Sequence, residues 1–263
     1  MSQVVIVTGA ASGLGWALAQ VFLKAGHSVL LADRDEPLLQ QRMQSISHPS
    51  QAASCVCDVT LMVDRQRLLE VVEQRFGRLD VLINNAGITH RSPAAHTGLS
   101  VLEKVMVVDW QAPMALALAA LPLLTQSRGQ IINIGSMAGW MPVPGRAAYC
   151  AAKAALSQFF EVLRLEVEAD GIHVLMVYPS FLDTPIERNA LGHDGAAANH
   201  ARSTVGNVRS PEWMANIILQ ASHKRQHRVF PDRLSAFASL LWRLWPALYM
   251  RLIKRKFSIE LQR

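Results

Sequence analysis

Cysteine is scarce. Only Cys55, Cys57 and Cys150 are present, too few for a disulfide framework. The Cys55-x-Cys57 pair falls in a strand-like run and is read as turning its sulfurs to opposite faces, which suits neither a metal nor a disulfide. All three are expected to fill core, and a reducing, cytoplasmic setting is the matching expectation. No charged stretch with a cleavage site opens the chain. Residues 2–8 read as a strand, so a secretory signal is not expected. No uninterrupted apolar run reaches the roughly 20 residues needed to span a bilayer. Internal repeats, domain linkers and nucleic-acid modules are missing. The histidines lack metal spacing, so no metal and no nucleic-acid partner is expected.

What is present points to one large α/β domain. The chain has 263 residues, of which 51% are hydrophobic, enough for a sizeable core. Short apolar runs alternate with longer helical patterns, as in a parallel sheet with crossover helices. Strands are expected over 4–7, 28–32, 52–57, 81–84, 130–135, 173–177 and 228–230. Their near-continuous Val, Ile and Leu is what strands covered on both faces show. Helices are expected over 14–24, 37–45, 61–76, 99–126, 146–169 and 211–221. The 99–126 stretch reads as two helices or one bent helix, because Pro113 lies inside it. The predicted fold is a single Rossmann-type, doubly wound parallel sheet of seven strands, occupying 1–231. Residues 187–207, rich in Ala, Gly, Asn and His, read as a mobile excursion.

The net charge of +6 is mild but uneven. Lys224, Arg225, Arg228, Arg233, Arg243, Arg251, Lys254, Arg255 and Lys256 crowd the end of the chain. They are interleaved with Leu240, Leu241, Trp242, Leu244, Trp245 and Leu248. Residues 232–263 therefore form a basic, apolar helical extension, broken by Pro246. The first reading is a helix packed on its own domain. The second is an interfacial helix giving peripheral membrane contact.

The first strand runs straight into Thr8-Gly9-Ala10-Ala11-Ser12-Gly13-Leu14-Gly15, and a helix follows. Glycines permit tight backbone angles and close ligand approach, and a helix N-terminus offers free N–H groups to a pyrophosphate. Placed at the first strand-to-helix junction, the turn fits a dinucleotide site. Asp33 ends the second strand, about 20 residues on, where a carboxylate accepts from adenosine ribose hydroxyls. It repels a 2′-phosphate and so favours NAD; Arg34 beside it keeps NADP open as the alternative. Asp58 and Val59 lie after the third strand, near the same sheet edge, with Asp58 an acceptor for the adenine amino group.

Tyr149 and Lys153 stand four residues apart on an amphipathic helix, so phenol and ammonium share a face. A neighbouring cation lowers a tyrosine pKa toward working pH. Ser136 follows the fifth strand, at the sheet end where ligands bind. With these motifs in order, the sequence resembles the short-chain dehydrogenase/reductase family to about residue 230. The resemblance rests on Thr8-Gly-x-x-x-Gly-x-Gly15, Asn84-Asn85-Ala86-Gly87, the upstream Ser136 and Tyr149-x-x-x-Lys153. It implies that Tyr149 is the general acid/base and that Ser136 orients the substrate oxygen. It implies that Lys153 tunes the phenol and holds the nicotinamide ribose. Asn85, Ala86 and Gly87 line the adenosine side. Pro179, Ser180 and Thr184 match the family's Pro-Gly-x-x-x-Thr, with Ser180 in place of its glycine. A homodimer or homotetramer through the two long helices is also implied.

Asp109 is the larger departure. The family usually has Asn before Trp110, with its backbone carbonyl holding a relay water. A carboxylate near Lys153 adds a charge or takes a proton, so Asp109 is counted among the catalytic candidates. Met137 and Phe181, with Trp140, Met141 and Leu182, suggest an apolar substrate pocket; simple loop packing explains them equally well. His90, His96, His193 and His200 read as solvated or substrate-loop residues. The expected function is hydride transfer between NAD(H) and an apolar secondary alcohol or ketone. An NADP(H)-linked carbonyl reductase and a catalytically impaired dinucleotide-binding protein are the alternatives.

Overall fold

The computed structural model describes residues 2–198 and 207–257. Seven parallel strands make one sheet: β1 (Val4–Thr8), β2 (Ser28–Asp33), β3 (Ala52–Val56), β4 (Val81–Asn84), β5 (Gln130–Ile134), β6 (His173–Val177) and β7 (Arg228–Val229). They lie in the order β3-β2-β1-β4-β5-β6-β7, so the strand order reverses between β1 and β4. Crevices at such reversals, beyond the carboxyl ends of the strands, are where these sheets hold ligands.

Both sheet faces are covered, which explains the apolar strands. Val5 and Val7 of β1 face a cluster with α1 (Gly13–Lys24), α2 (Glu36–Gln44) and α8 (Pro211–His223). Val4 and Ile6 face the other side, against α3 (Met62–Phe76), α5 (Ala112–Ser127) and α6 (Ala147–Glu166). Strand alternation has period two, so Cys55 and Cys57 share a face. Both thiols are buried and free in the α3-side cluster, which corrects the opposite-face reading. Burial pushes the Cys57 thiol up to about 12.

The 99–126 prediction resolves into α4 (Leu99–Met106), a π-helical segment (Val107–Gln111) and α5. Pro113 has no N–H for the carbonyl of Asp109 four residues earlier, and the wider π turn falls at that break in the ladder. The combined Leu99–Ser127 helix is long and apolar enough to cross a membrane by length and composition. Here α5 instead buries Leu116, Ala117, Ala120 and Leu124 against the sheet.

Of the stretch 187–207 that reads as a mobile excursion, the described residues 187–198 are tied down. The short α7 (Pro185–Arg188) carries Glu187 into two ion pairs, and Leu191 bridges His90 and Ala197. Residues 199–206, including His200, lie outside the described part. The extension forms α9 (Arg233–Leu244) and α10 (Pro246–Lys256), parted at Pro246. Tyr249 donates a 2.9 Å hydrogen bond to the Pro142 carbonyl. The Arg243 guanidinium lies 4.3 Å from the Trp140 ring centre.

Candidate active site

The turn after β1 is built by close backbone contact. Gly9 and Gly13 take φ of +65° and +52°, values that L side chains rarely adopt. A Cβ on Gly15 would lie 2.0 Å from the Gly9 carbonyl oxygen, so α1 can sit this near the turn only with glycine there. Ser12 precedes α1 without capping it through its side chain, which leaves the first N–H groups of the helix for a ligand. Across the sheet, the Thr8 hydroxyl accepts from the backbone N–H of Asn85 and of Ala86, both at 3.0 Å. The Asn85 side-chain amide donates to the Thr8 carbonyl at 2.9 Å. The Asn85–Gly87 loop thus braces the turn.

Asp33, at the end of β2, accepts from the Ala11 N–H at 2.9 Å and the Asp35 N–H at 3.0 Å. Two bonds leave carboxylate lone pairs for further donors. Asp58 accepts from the Thr60 amide and hydroxyl. Burial works against its charge, but those bonds and nearby Arg34 hold its carboxyl below the ordinary value.

At the other end, Ser136 begins a tight turn after β5, and its hydroxyl accepts from the Ala138 N–H at 3.1 Å. Tyr149 and Lys153 project from the first turns of α6. The Lys153 ammonium lies 5.6 Å from the phenol ring centre. It donates to the Ile134 carbonyl at 3.1 Å and sits 3.1 Å from an Asp109 carboxylate oxygen. The other Asp109 oxygen accepts from the Ile88 N–H at 2.8 Å. Asp109 is wholly buried. Burial raises its pKa against the pull of Lys153. For Lys153 burial acts downward, but Asp109 and Tyr149 outweigh it and keep the ammonium charged. The phenol differs from expectation. Burial raises the Tyr149 pKa, Lys153 and the hydrogen-bonding Ser136 pull it down, and Asp109 adds to the rise; the net shift is upward. The carboxylate beside Lys153 cancels part of the cation's effect.

These groups line one cavity of about 370 Å³, within the range of small-ligand sites. Each residue expected to bind cofactor borders it except Gly15, which lies behind the turn. Asp109 lies behind Lys153 and does not border the cavity. Neither do Met137 and Phe181. Met137 is buried in the α3-side core, and Trp140 packs against Tyr178, Phe230 and Arg243. Of the residues suggested for an apolar pocket, Leu182 does border the cavity, and Ile88, Val108, Ile186 and Leu191 complete the apolar wall.

The short chain dehydrogenase family model matches residues 3–194. The chain belongs to that family. It is 35% identical to dehydrogenase/reductase SDR family member 7B of Bos taurus, over 98% of this chain and 82% of the relative. A short-chain dehydrogenase from Streptomyces avermitilis superposes with a TM-score of 0.81 at 28% identity, over 98% of both chains. The 3-ketoacyl-(acyl-carrier-protein) reductase of Brucella melitensis, crystallised with NADH, gives 0.73 at 22% identity, over 84% of this chain and 90% of that one. At that identity it speaks for the shared fold alone.

Within this dehydrogenase fold, sequence reasoning missed a polar cluster. Arg146 forks onto both carboxylate oxygens of Glu187, at 3.1 and 2.9 Å, and Arg91 reaches Glu187 as well. Glu187 borders the cavity and both guanidiniums are buried. The only hint in the sequence is Arg146, three residues before Tyr149. His90 is likewise not a solvated loop residue. It is wholly buried, and its Nε2 accepts from the Ala148 N–H at 3.1 Å. Burial, with Arg146 nearby, pushes its pKa down to about 4. His96 and His193 are exposed, as expected.

Proposed function

We propose that this chain is an NAD(H)-preferring oxidoreductase acting on an apolar secondary alcohol or ketone, with Tyr149 as its proton-transfer group. The observation that carries this reading is the single cavity that joins the β1–α1 turn to Ser136, Tyr149 and Lys153. The glycine turn fits a pyrophosphate, because added Cβ atoms at Gly9 and Gly15 would collide with backbone where a bound phosphate needs close approach. Asp33 is an acceptor for ribose hydroxyls and disfavours a 2′-phosphate. Arg34 borders the same cavity, which supports NADP(H) as the second reading.

When bound, the nicotinamide supplies the hydride donor or acceptor. The protein supplies placement and the proton. Ser136 and Tyr149 hold the substrate oxygen between two hydroxyls. In reduction, the phenol gives its proton to that oxygen as the carbonyl becomes an alcohol; in oxidation it takes the proton back. Its raised pKa keeps it protonated at neutral pH, the form that donates. The Lys153 ammonium stabilises the phenolate left behind and is a donor toward ribose hydroxyls. Thr184, Pro179 and Ser180 close the nicotinamide end. Ile88, Val108, Leu182 and Leu191 offer no charge to a substrate, which supports an apolar one. Exposed Leu118 on α5, and Val162 and Leu165 on α6, support pairing of two copies through those helices.

The test is a screen of hydrophobic ketones and secondary alcohols with NADH, NADPH and their oxidised forms, followed at the reduced-nicotinamide band. We expect NADH to be used better than NADPH. Tyr149→Phe should cost about 10²–10⁴-fold in turnover while dinucleotide binding survives. Full activity in Tyr149→Phe, or no dinucleotide uptake by calorimetry, rejects the assignment.

A further inference from the structure

In most surface helices the apolar stripe faces the core and the polar side faces water. The α9–α10 pair has a second apolar side. Ser239 of α9, Tyr249 of α10 and the following Phe257 are buried, and they mark the side that packs on the domain. Leu234, Phe237, Leu240 and Leu244 recur at intervals of three and four residues along α9, and all are exposed. Trp245, Leu248 and Leu252 continue the exposed stripe along α10. Phe237 is 63% accessible and Trp245 60%. Contiguous apolar surface of this kind marks a contact site.

Charge says what the contact is. Arg251, Lys254, Arg255 and Lys256 are exposed on α10, and residues 233–257 contain no aspartate or glutamate. A second copy meeting this face about a twofold axis would set cations against cations with no acid to pair them. An anionic lipid surface meets both needs: acyl chains for the leucines and phenylalanine, phosphate and carboxylate headgroups for the basic side chains. Trp245, at the bend between the helices, is of the residue type that settles at the headgroup level.

We propose that the α9–α10 pair docks the protein on anionic lipid, with the Leu234–Leu252 stripe entering the leaflet that faces it and the basic residues at the headgroups. The inference does not depend on the oxidoreductase reading. The pair is fastened to the domain at Pro142 and Trp140, on the loop that runs from Ser136 to Arg146. Docking therefore holds the loop that carries Ser136 about one helix diameter from the lipid.

The experiment is co-sedimentation of the full-length chain with vesicles of phosphatidylcholine alone and of phosphatidylcholine mixed with phosphatidylserine. We expect clear preference for the mixed vesicles and weakening by added salt. The triple change Lys254→Glu, Arg255→Glu and Lys256→Glu should weaken binding at least about tenfold. The double change Phe237→Ser and Leu240→Ser should abolish it. Acids in the last turn oppose the helix dipole, so the parallel change of all three residues to Gln is the folding control: it should weaken binding too, with circular dichroism like the parent. Equal binding to both vesicle types overturns the proposal, as does binding indifferent to the charge reversal. A salt-resistant dimer that Phe237→Ser dissociates, with no vesicle binding, makes a second copy the occupant and also overturns it.

Discussion

The β1–α1 turn and the α9–α10 pair solve opposite problems with opposite chemistry. The turn spends glycine to let backbone meet backbone, and its neighbours Thr8, Asn85 and Asp33 lock it by hydrogen bonds. The tail is fastened through a few side chains, chiefly Tyr249 and Arg243, and shows large apolar groups to the outside. A site for a small polar ligand needs fixed atoms, whereas a face for a broad surface needs only composition and periodicity. Single atoms should therefore matter greatly in the first region and little in the second.

The strongest way to break that contrast is Gly15→Ala. Its new methyl would lie 2.0 Å from the Gly9 oxygen and 2.6 Å from the Asn85 amide nitrogen, and neither can move without opening the turn. We expect dinucleotide affinity to fall at least about a hundredfold and stability to drop by about 3 kcal/mol, read by calorimetry and thermal melting. Unchanged affinity would mean that the turn is only a connection.

His90 sharpens the comparison from the interior, beside the start of α6. Its folded value of about 4 lies below its ordinary 6.5. As pH falls, the unfolded chain takes up the proton first, so stability is lost between about pH 6.5 and 4. The total from this group is about 3 kcal/mol. Burial depresses His27 and His173 as well, so the readout is the difference in pH slope between the parent and His90→Gln in urea unfolding. Parallel slopes would show that His90 takes no part.

Asp109→Asn tests the balance at the other end of the cavity. Removing the carboxylate removes an upward influence on the Tyr149 phenol. The rising limb of alcohol oxidation should move to lower pH, with turnover retained. An unmoved pH–rate curve of the purified enzyme refutes the coupling. The smallest effect belongs to the tail. Tyr249→Phe deletes the bond to Pro142 and should cost about 1 kcal/mol, a fall of about 2–4 °C in melting temperature. A loss as large as that of Gly15→Ala would erase the distinction between the two regions.

The fold was legible because strands covered on both faces must be apolar throughout, and the glycine turn marks where the sheet begins to bind. The cavity wall from Gly9 to Lys153 was legible for a related reason: those residue types are the few that such backbone and proton chemistry permits. The apolar side of the cavity was legible only at Leu182. Met137 and Phe181 follow the same strands as Ser136 and Pro179, but nothing in local spacing says which side chains of a loop turn inward. The Arg91–Arg146–Glu187 cluster joins three distant segments, and no periodicity records such a meeting. The burial of His90 was not legible, because it depends on the helix that arrives nearly sixty residues later.

The fork between Arg146 and Glu187 has a mechanical side. Arg146 stands at the N-cap position of α6, three residues before Tyr149, and Glu187 rides on α7, which borders the cavity. Any outward displacement of α7 would have to part this bidentate clasp, whose other half stands at the start of α6. The rim of the cavity and the start of the helix that bears Tyr149 thus share one carboxylate.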